Sequence, residues 1–343
     1  MNFEIDLRSD TVTKPCADMR RSMAEVEVGD DVLDHDPTMA ELECRVADML
    51  GMPAALWVPS GTMGNIIALM LHLDRGDRFL APEHAHVLDS ELGTAAWLAQ
   101  GMPEALPHDA GPGRPTPGTI KRATVSAGPY FSLRTTLLCL ENSHNFSGGS
   151  VIPPQEWTDL VVVAKELGLH VHLDGARLWN ACVALSSAAT TLTQGADTVQ
   201  VCLSKGLGAP VGSILAADAT RISEARRFRK MLGGGVRQGG VLAAAGLVAL
   251  RSIDRLADDH ENAQRLSDGL RERGWNAHRP DTNIVLVEVA DPIRMVKRLS
   301  AEGIGATSVV GKVRFVTHRD VDSHSIDNVL DRVYRLSDLA DLV

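Results

Sequence analysis

The sequence is short of cysteine, of positive charge and of long apolar runs, and each shortage removes a class of protein. Its five cysteines, Cys16, Cys44, Cys139, Cys182 and Cys202, stand far apart with no Cys-x-x-Cys pair. Neither a disulfide framework nor a thiolate zinc site is expected, and a reducing cytoplasm suits them. Lysine and arginine number 34 against 44 aspartates and glutamates, a formal charge of -10, which is the wrong sign for a protein that neutralises nucleic-acid phosphates. The longest apolar run, Val241 to Leu250, is too short to span a bilayer, and the opening MNFEIDLRSD carries acids where a leader would be apolar. Neither a membrane nor an export role is expected. There is no internal repeat.

What is present is a chain of 343 residues, 44% of them hydrophobic, enough for one large core and a smaller satellite. Residues 38–50 repeat apolar side chains at three- and four-residue spacing and stop at Gly51, which predicts an amphipathic helix. Short β-rich runs follow: ALWVPS, DRFLAP, TTLLCLEN, HVHLDGA and TVQVCLSK. Most are separated by enough chain for a helix, the pattern of a largely parallel α/β sheet. The proline- and glycine-rich stretch from Gly101 to Lys121 predicts a surface loop without regular structure. After GGGVRQGG, an alanine-rich helix and a charged helix through Asp254 to Arg273 lead to the strand-like TNIVLVEV and KVRFVTH, so a smaller lobe is expected from about residue 245.

Ligands of open parallel sheets sit beyond the carboxyl ends of the strands, and three strand ends here carry chemistry. Ser60-Gly61-Thr62 follows ALWVP and opens an apolar helix, offering backbone N–H groups, a hydroxyl and a positive dipole end to a phosphate. A well-capped strand-to-helix turn would look the same. Asp174 closes HVHLD, where a carboxylate can pair with a protonated pyridine nitrogen and keep that ring a good electron sink, or can simply cap a helix. Arg177, three residues on, could clamp a carboxylate with its planar fork or stay solvated. Lys205 stands directly after TVQVCL and before Gly206. A lysine there is costly unless its amine is consumed, and imine formation with a carbonyl cofactor consumes it. Two His-x-His pairs, His84 with His86 and His170 with His172, would each put both imidazoles on one face of a strand, but no third ligand has sensible spacing and no metal is expected.

Longer strings make the pattern specific. DLRSDTVTKP from Asp6, GDDV and DPT from Gly29, VPSGTMGN from Val58, ENSHN from Glu141, HLDGAR from His172, CLSKGLGAPVGS from Cys202, RKMLGGGVRQ from Arg229 and VRFVTH from Val313 resemble the threonine aldolase family of fold-type I pyridoxal-phosphate enzymes over nearly the whole chain. The resemblance implies an α/β fold of the aspartate-aminotransferase type: a large domain, residues 1–244, on a mostly parallel seven-stranded sheet, and a small α+β domain, residues 245–343, with residues 1–15 packing near it. It implies pyridoxal 5'-phosphate as cofactor, with Lys205 as the Schiff-base lysine, Asp174 on the pyridine nitrogen, His86 stacked on the ring, Gly61 and Thr62 on the phosphate, and Arg237 as a further phosphate candidate. Ser9, Arg177 and Arg314 would hold the α-carboxylate of a small amino-acid substrate. The implied reaction is retro-aldol cleavage of a β-hydroxy-α-amino acid to glycine and an aldehyde, with a base poised near neutral pH, a property that suits histidine. A homodimer or homotetramer with shared active sites is implied too, the GDDVLDHDPT loop facing a neighbour's cofactor.

The sequence departs from the family where the substrate side chain would lie. Phe131 stands where the family has a second histidine, Ser90 where it commonly has tyrosine, and Leu33 and Asp34 where it usually has Tyr-Gly; His35 is also unusual. Phe131 would add an apolar wall, which favours threonine, allo-threonine or a bulkier analogue such as phenylserine. The same losses leave racemisation, β-elimination or transfer between amino acids as the alternative chemistry on this scaffold.

Overall fold

The computed structural model describes residues 3–33, 35–124 and 129–336. Seven strands build the main sheet: β1 (Ala54–Val58), β2 (Arg78–Pro82), β3 (Met102–Leu106), β4 (Thr135–Glu141), β5 (His170–Gly175), β6 (Thr198–Cys202) and β7 (Ser213–Ala217), in the order β1-β7-β6-β5-β4-β2-β3. Only β7 runs against its neighbours; the remaining pairs are parallel. β5, β6 and β7 are buried almost throughout, because helices cover both faces. That explains their continuous rather than alternating apolar sequences.

The helix over residues 38–50 forms as Pro37–Leu50, capped by Asp36, whose carboxylate accepts from the Thr38 and Met39 N–H groups, and stopped at Gly51 in the left-handed region at φ 64°. The stretch from Gly101 to Lys121 departs from expectation. It contains the edge strand β3 and the helix Pro117–Ala123. Pro103 is tolerated because an edge strand leaves one set of N–H groups unpaired, and Pro117 starts a helix, where its missing N–H is not needed, behind the Thr116 cap. β7, with its small residues, was also not visible as a strand.

A second sheet of four strands, Thr307–Val309, Lys312–Val316, Ile284–Glu288 and Asn276–Ala277, carries its own apolar core with Ala263, Leu266 and Phe315. Ile5 and Leu7 belong to this core, and the short strand Ile5–Asp6 pairs with Ile304–Gly305. A boundary at residue 245 falls inside the helix Gly240–Leu250, and Ala245, Leu247, Ala249, Leu250 and Leu256 pack in the large core. The change of core comes between Leu256 and Ala263, within the helix Leu256–Glu272. Among the described residues, no helix is long and apolar enough to cross a membrane.

Candidate active site

The carboxyl ends of β1, β5 and β6 open on one cavity of about 250 Å³, lined by Ser60, Gly61, Thr62, Asn65, His86, Asp174, Ala176, Gln200, Ser204 and Lys205 among others. β1 points the same way as β6 because both run against β7, so the phosphate-type turn, the carboxylate and the lysine meet at one sheet edge. Ser60 caps the helix Gly61–His72 by accepting from Met63 N–H, which leaves earlier N–H groups of that helix without an intrahelical partner. A Cβ on Gly61 would lie 3.0 Å from Cys202 Sγ and 3.2 Å from Gln200 Nε2, so a side chain there would push these two β6 residues back by a few tenths of an ångström.

Asp174 is 3% exposed; its Oδ1 accepts from Ala176 N–H at 3.0 Å and its Oδ2 from Asn65 Nδ2 at 2.7 Å. His86, on the turn after β2, gives its backbone N–H to Glu141 Oε2 and bonds Glu91 Oε1 through Nδ1, both at 2.8 Å. Burial alone would lower its pKa, but Glu91, Asp174 and Glu141 together raise it above the ordinary histidine value. His86, Glu91 and Asp174 set donor atoms within 4.8 Å of one another. The amide nitrogen of Asn65 nevertheless stands between the two carboxylates, where a cation would have to sit. The His-x-His pairs do not converge: His84 turns to Asp89, and His170 lies half-exposed against the His72 ring while His172 is buried.

Arg177, three residues after Asp174, and Arg314, on the strand Lys312–Val316, converge on Asn145 Oδ1, their Nη1 atoms 3.1 and 2.8 Å from it. The Arg177 fork is already spent on Asp10, through Nε at 2.8 Å and Nη2 at 2.7 Å. Burial would raise the Asp10 carboxyl, yet Arg177 draws it down to about 2. Arg314 is different. Its Nε is buried without a partner, and burial, with the Arg177 charge beside it, lowers its pKa to about 10. Ser9 caps the turn Asp10–Val12, its Oγ accepting from Thr11 N–H.

Other expected residues lie elsewhere. Phe131 is 76% exposed with its ring edge against Tyr130, so within a single chain it walls no pocket; it sits on a surface segment. Ser90 ends the short helix His86–Asp89 and bonds His86 through its backbone. Arg237 is largely exposed and pairs with Asp30, on the same surface as Leu33 and the exposed His35. Asp34 lies outside the described residues. Nothing in the sequence alone marks Asp10, Asn65, Glu91 or Asn145, and His172 stands out there only as half of a His-x-His pair. Asn65 and Asn145 lay inside quoted motifs, but a neutral side chain shows its function only through its neighbours.

The donor set fits pyridoxal 5'-phosphate: a helix N-terminus for the phosphate, a buried carboxylate for the pyridine nitrogen, an imidazole beside it, and Lys205, whose Nζ makes no hydrogen bond among the described residues.

Residues 6–292 match the family model described as beta-eliminating lyase. A low-specificity L-threonine aldolase of Escherichia coli O157:H7 is 40% identical, with 95% of this chain and 97% of that one covered. Low-specificity L-threonine aldolase 1 of Arabidopsis thaliana is 39% identical over 95% and 94% of the two chains. Among solved structures, a threonine aldolase of Leishmania major superposes with a TM-score of 0.83 at 20% identity, covering 97% of this chain and 99% of the other.

Proposed function

Because the chain belongs to the threonine aldolase family, within the beta-eliminating lyases, we propose how its own residues carry out that family's reaction. The protein is a pyridoxal-phosphate-dependent lyase that cleaves threonine to glycine and an aldehyde. The observation that carries this reading is the meeting of Lys205, Asp174 and His86 in one cavity beside a helix N-terminus.

Lys205 would hold the cofactor through its amine, the nucleophile in this cavity. Asp174, anchored from two sides, keeps the pyridine nitrogen protonated. Ser60, Gly61 and Thr62 receive the phosphate. The bound cofactor supplies the electron sink for the pair released when Cα–Cβ breaks. Arg314, whose buried Nε lacks an acceptor, holds the substrate α-carboxylate. Arg177, neutralised by Asp10, orients Asn145 and Arg314 for that contact. Holding the carboxylate at one point and the amine at another sets which Cα bond stands across the ring, and so selects the bond that breaks. His86 takes the β-hydroxyl proton.

Phe131, His35 and Arg237 are exposed in one chain. We place them at a neighbouring subunit's site in a homodimer or homotetramer, where Phe131 walls the substrate side chain. The five free cysteines agree with a reducing cytoplasm.

Purified protein supplied with pyridoxal 5'-phosphate and given L-threonine, L-allo-threonine and phenylserine is expected to release glycine and the matching aldehyde from at least one, with the bulkier phenylserine accepted. No glycine from any of them would refute the assignment.

A further inference from the structure

Behind the cavity runs a chain of hydrogen bonds whose directions can be worked out from valence alone. Asn65 Nδ2 lies 2.8 Å from Glu91 Oε1 and 2.7 Å from Asp174 Oδ2. An amide nitrogen has two hydrogens, and both are spent on these carboxylates. Asn65 Oδ1 can therefore only accept, and its donor is His172 Nε2 at 3.1 Å. Burial lowers the His172 pKa to about 4, so the ring is neutral and carries its one hydrogen on Nε2. Its Nδ1 must then accept from Thr198 Oγ at 2.9 Å. Thr198 Oγ in turn accepts from His72 Nε2 at 3.1 Å, and His72, held neutral by burial and by His170, ends the chain with a buried Nδ1 that has no partner. Every hydrogen points the same way, toward Asp174 and Glu91.

This one-way chain prevents Asn65 from flipping and lets two carboxylates share one amide. Glu91 is 2% exposed, and its Oε1 takes both the Asn65 hydrogen and the His86 Nδ1 contact, while Oε2 has no partner. Burial raises the Glu91 carboxyl; the hydrogen bonds from His86 and Asn65 oppose that rise, and the Asp174 charge adds to it. The charged groups facing the His86 ring from the packed elements are Glu91 after its own helix, Asp174 on β5 and Glu141 on β4, with Lys205 lining the same cavity.

We propose that Glu91 is a positioning residue for the cleavage: its carboxylate claims the Nδ1 hydrogen of His86, leaving Nε2 as the ring nitrogen that exchanges a proton with the substrate's β-oxygen. His86 Nε2 has no hydrogen-bond partner among the described residues. In the forward step the β-hydroxyl proton moves to Nε2 and the O–H pair becomes the new C=O bond; the cofactor, when bound, would supply the sink for the Cα–Cβ pair. The inference rests on the reading above that His86 serves the substrate. Asn65 and His172 act one step further back, by keeping Glu91 where His86 needs it.

The test begins without cofactor or substrate. Apo-protein labelled with ¹⁵N-histidine, with the His86 signals identified from their loss in His86→Gln, is titrated by NMR. Wild type should show the Nδ1–H tautomer above the titration midpoint. Glu91→Gln should lower that midpoint by about one to two pH units and shift the tautomer toward Nε2–H, while Glu91→Asp should restore part of both. An Nε2–H tautomer in the wild type would overturn the proposal even if the variants did not fold, and so would a midpoint indifferent to Glu91→Gln. In the loaded enzyme, Glu91→Gln should lower kcat more than it raises KM, and should cost nothing further in a His86→Phe background. A full further loss in that background would show that Glu91 does not act through His86. An inactive wild type with the expected NMR result would sink the functional reading and leave the Glu91–His86 coupling standing.

Discussion

Arg314 and Arg177 are chemically the same residue in different states of satisfaction. Arg177 has its fork filled by Asp10, while Arg314 keeps a buried Nε without a partner and a lowered pKa. An unsatisfied buried donor favours any ligand that supplies the missing acceptor. Arg314→Lys should therefore raise KM about 10- to 100-fold with a smaller change in kcat, since a point charge replaces a planar fork at a ground-state contact. Steady-state kinetics with L-threonine would check this; an unchanged KM would place the carboxylate elsewhere. Lys205 and Asp174 stand out in the sequence as charged residues at the ends of apolar strands, whereas His86 enters only through the family resemblance. Asn65 and Asn145 do not stand out, because their roles consist of contacts with residues far away in the chain, and Glu91 does not, because only the fold turns its carboxylate onto His86 Nδ1.

At the scale of elements, the helix Leu256–Glu272 presses on the turn that carries the lysine. A Cβ on Gly206 would meet Leu256 Cδ2 at 2.8 Å and Asp259 Oδ2 at 3.8 Å, so glycine follows Lys205 because this helix leaves no room for a side chain. Asp259 is fully buried, with Oδ1 unpartnered and Oδ2 bonded by Arg255 at 2.7 Å. Burial raises its pKa from 3.8 to about 6 despite Arg255. Between those values the folded protein keeps a proton that the unfolded chain has released. More protons bound in the folded state means that stability falls as pH rises. The wild type should lose about 2–3 kcal/mol across this window relative to Asp259→Asn, which has no such proton to lose. Urea unfolding of both proteins at several pH values would check it, and parallel stability curves would refute it. The same scale explains the misread stretch from Gly101 to Lys121. Its prolines do not exclude regular structure, because Pro103 and Pro117 occupy the edge-strand and helix-start positions that proline tolerates.

For the whole molecule, the placement of Arg237, His35 and Phe131 on open surface makes the neighbouring subunit part of the functional reading. Light scattering should give a dimer or tetramer. Lys205→Ala and Arg237→Ala, each impaired alone, should regain activity when dissociated and reassociated together, because a hybrid dimer has one site with both residues intact. At equal amounts the recovery should approach about a quarter of wild type, half of the dimers being hybrids with one competent site each. No recovery on mixing would keep Arg237 in its own subunit's service.

The family, the placing of Lys205 and Asp174 at strand ends, and the order of five of the seven main strands along the chain followed from the sequence alone. The apolar runs are local, the charged residues that end them are conspicuous, and the motifs follow one another in family order. Tertiary structure decided the rest. It alone brought strand ends from β1 to β6 to one edge, spent Arg177 on Asp10 while leaving the Arg314 Nε without an acceptor, and threaded His72, Thr198, His172 and Asn65 into one line of donors behind Asp174 and Glu91. The physical reason is that a polar group's state depends on which partners reach it after burial, and those partners lie far off in the chain, 167 residues between Arg177 and Asp10 and 169 between Arg314 and Asn145.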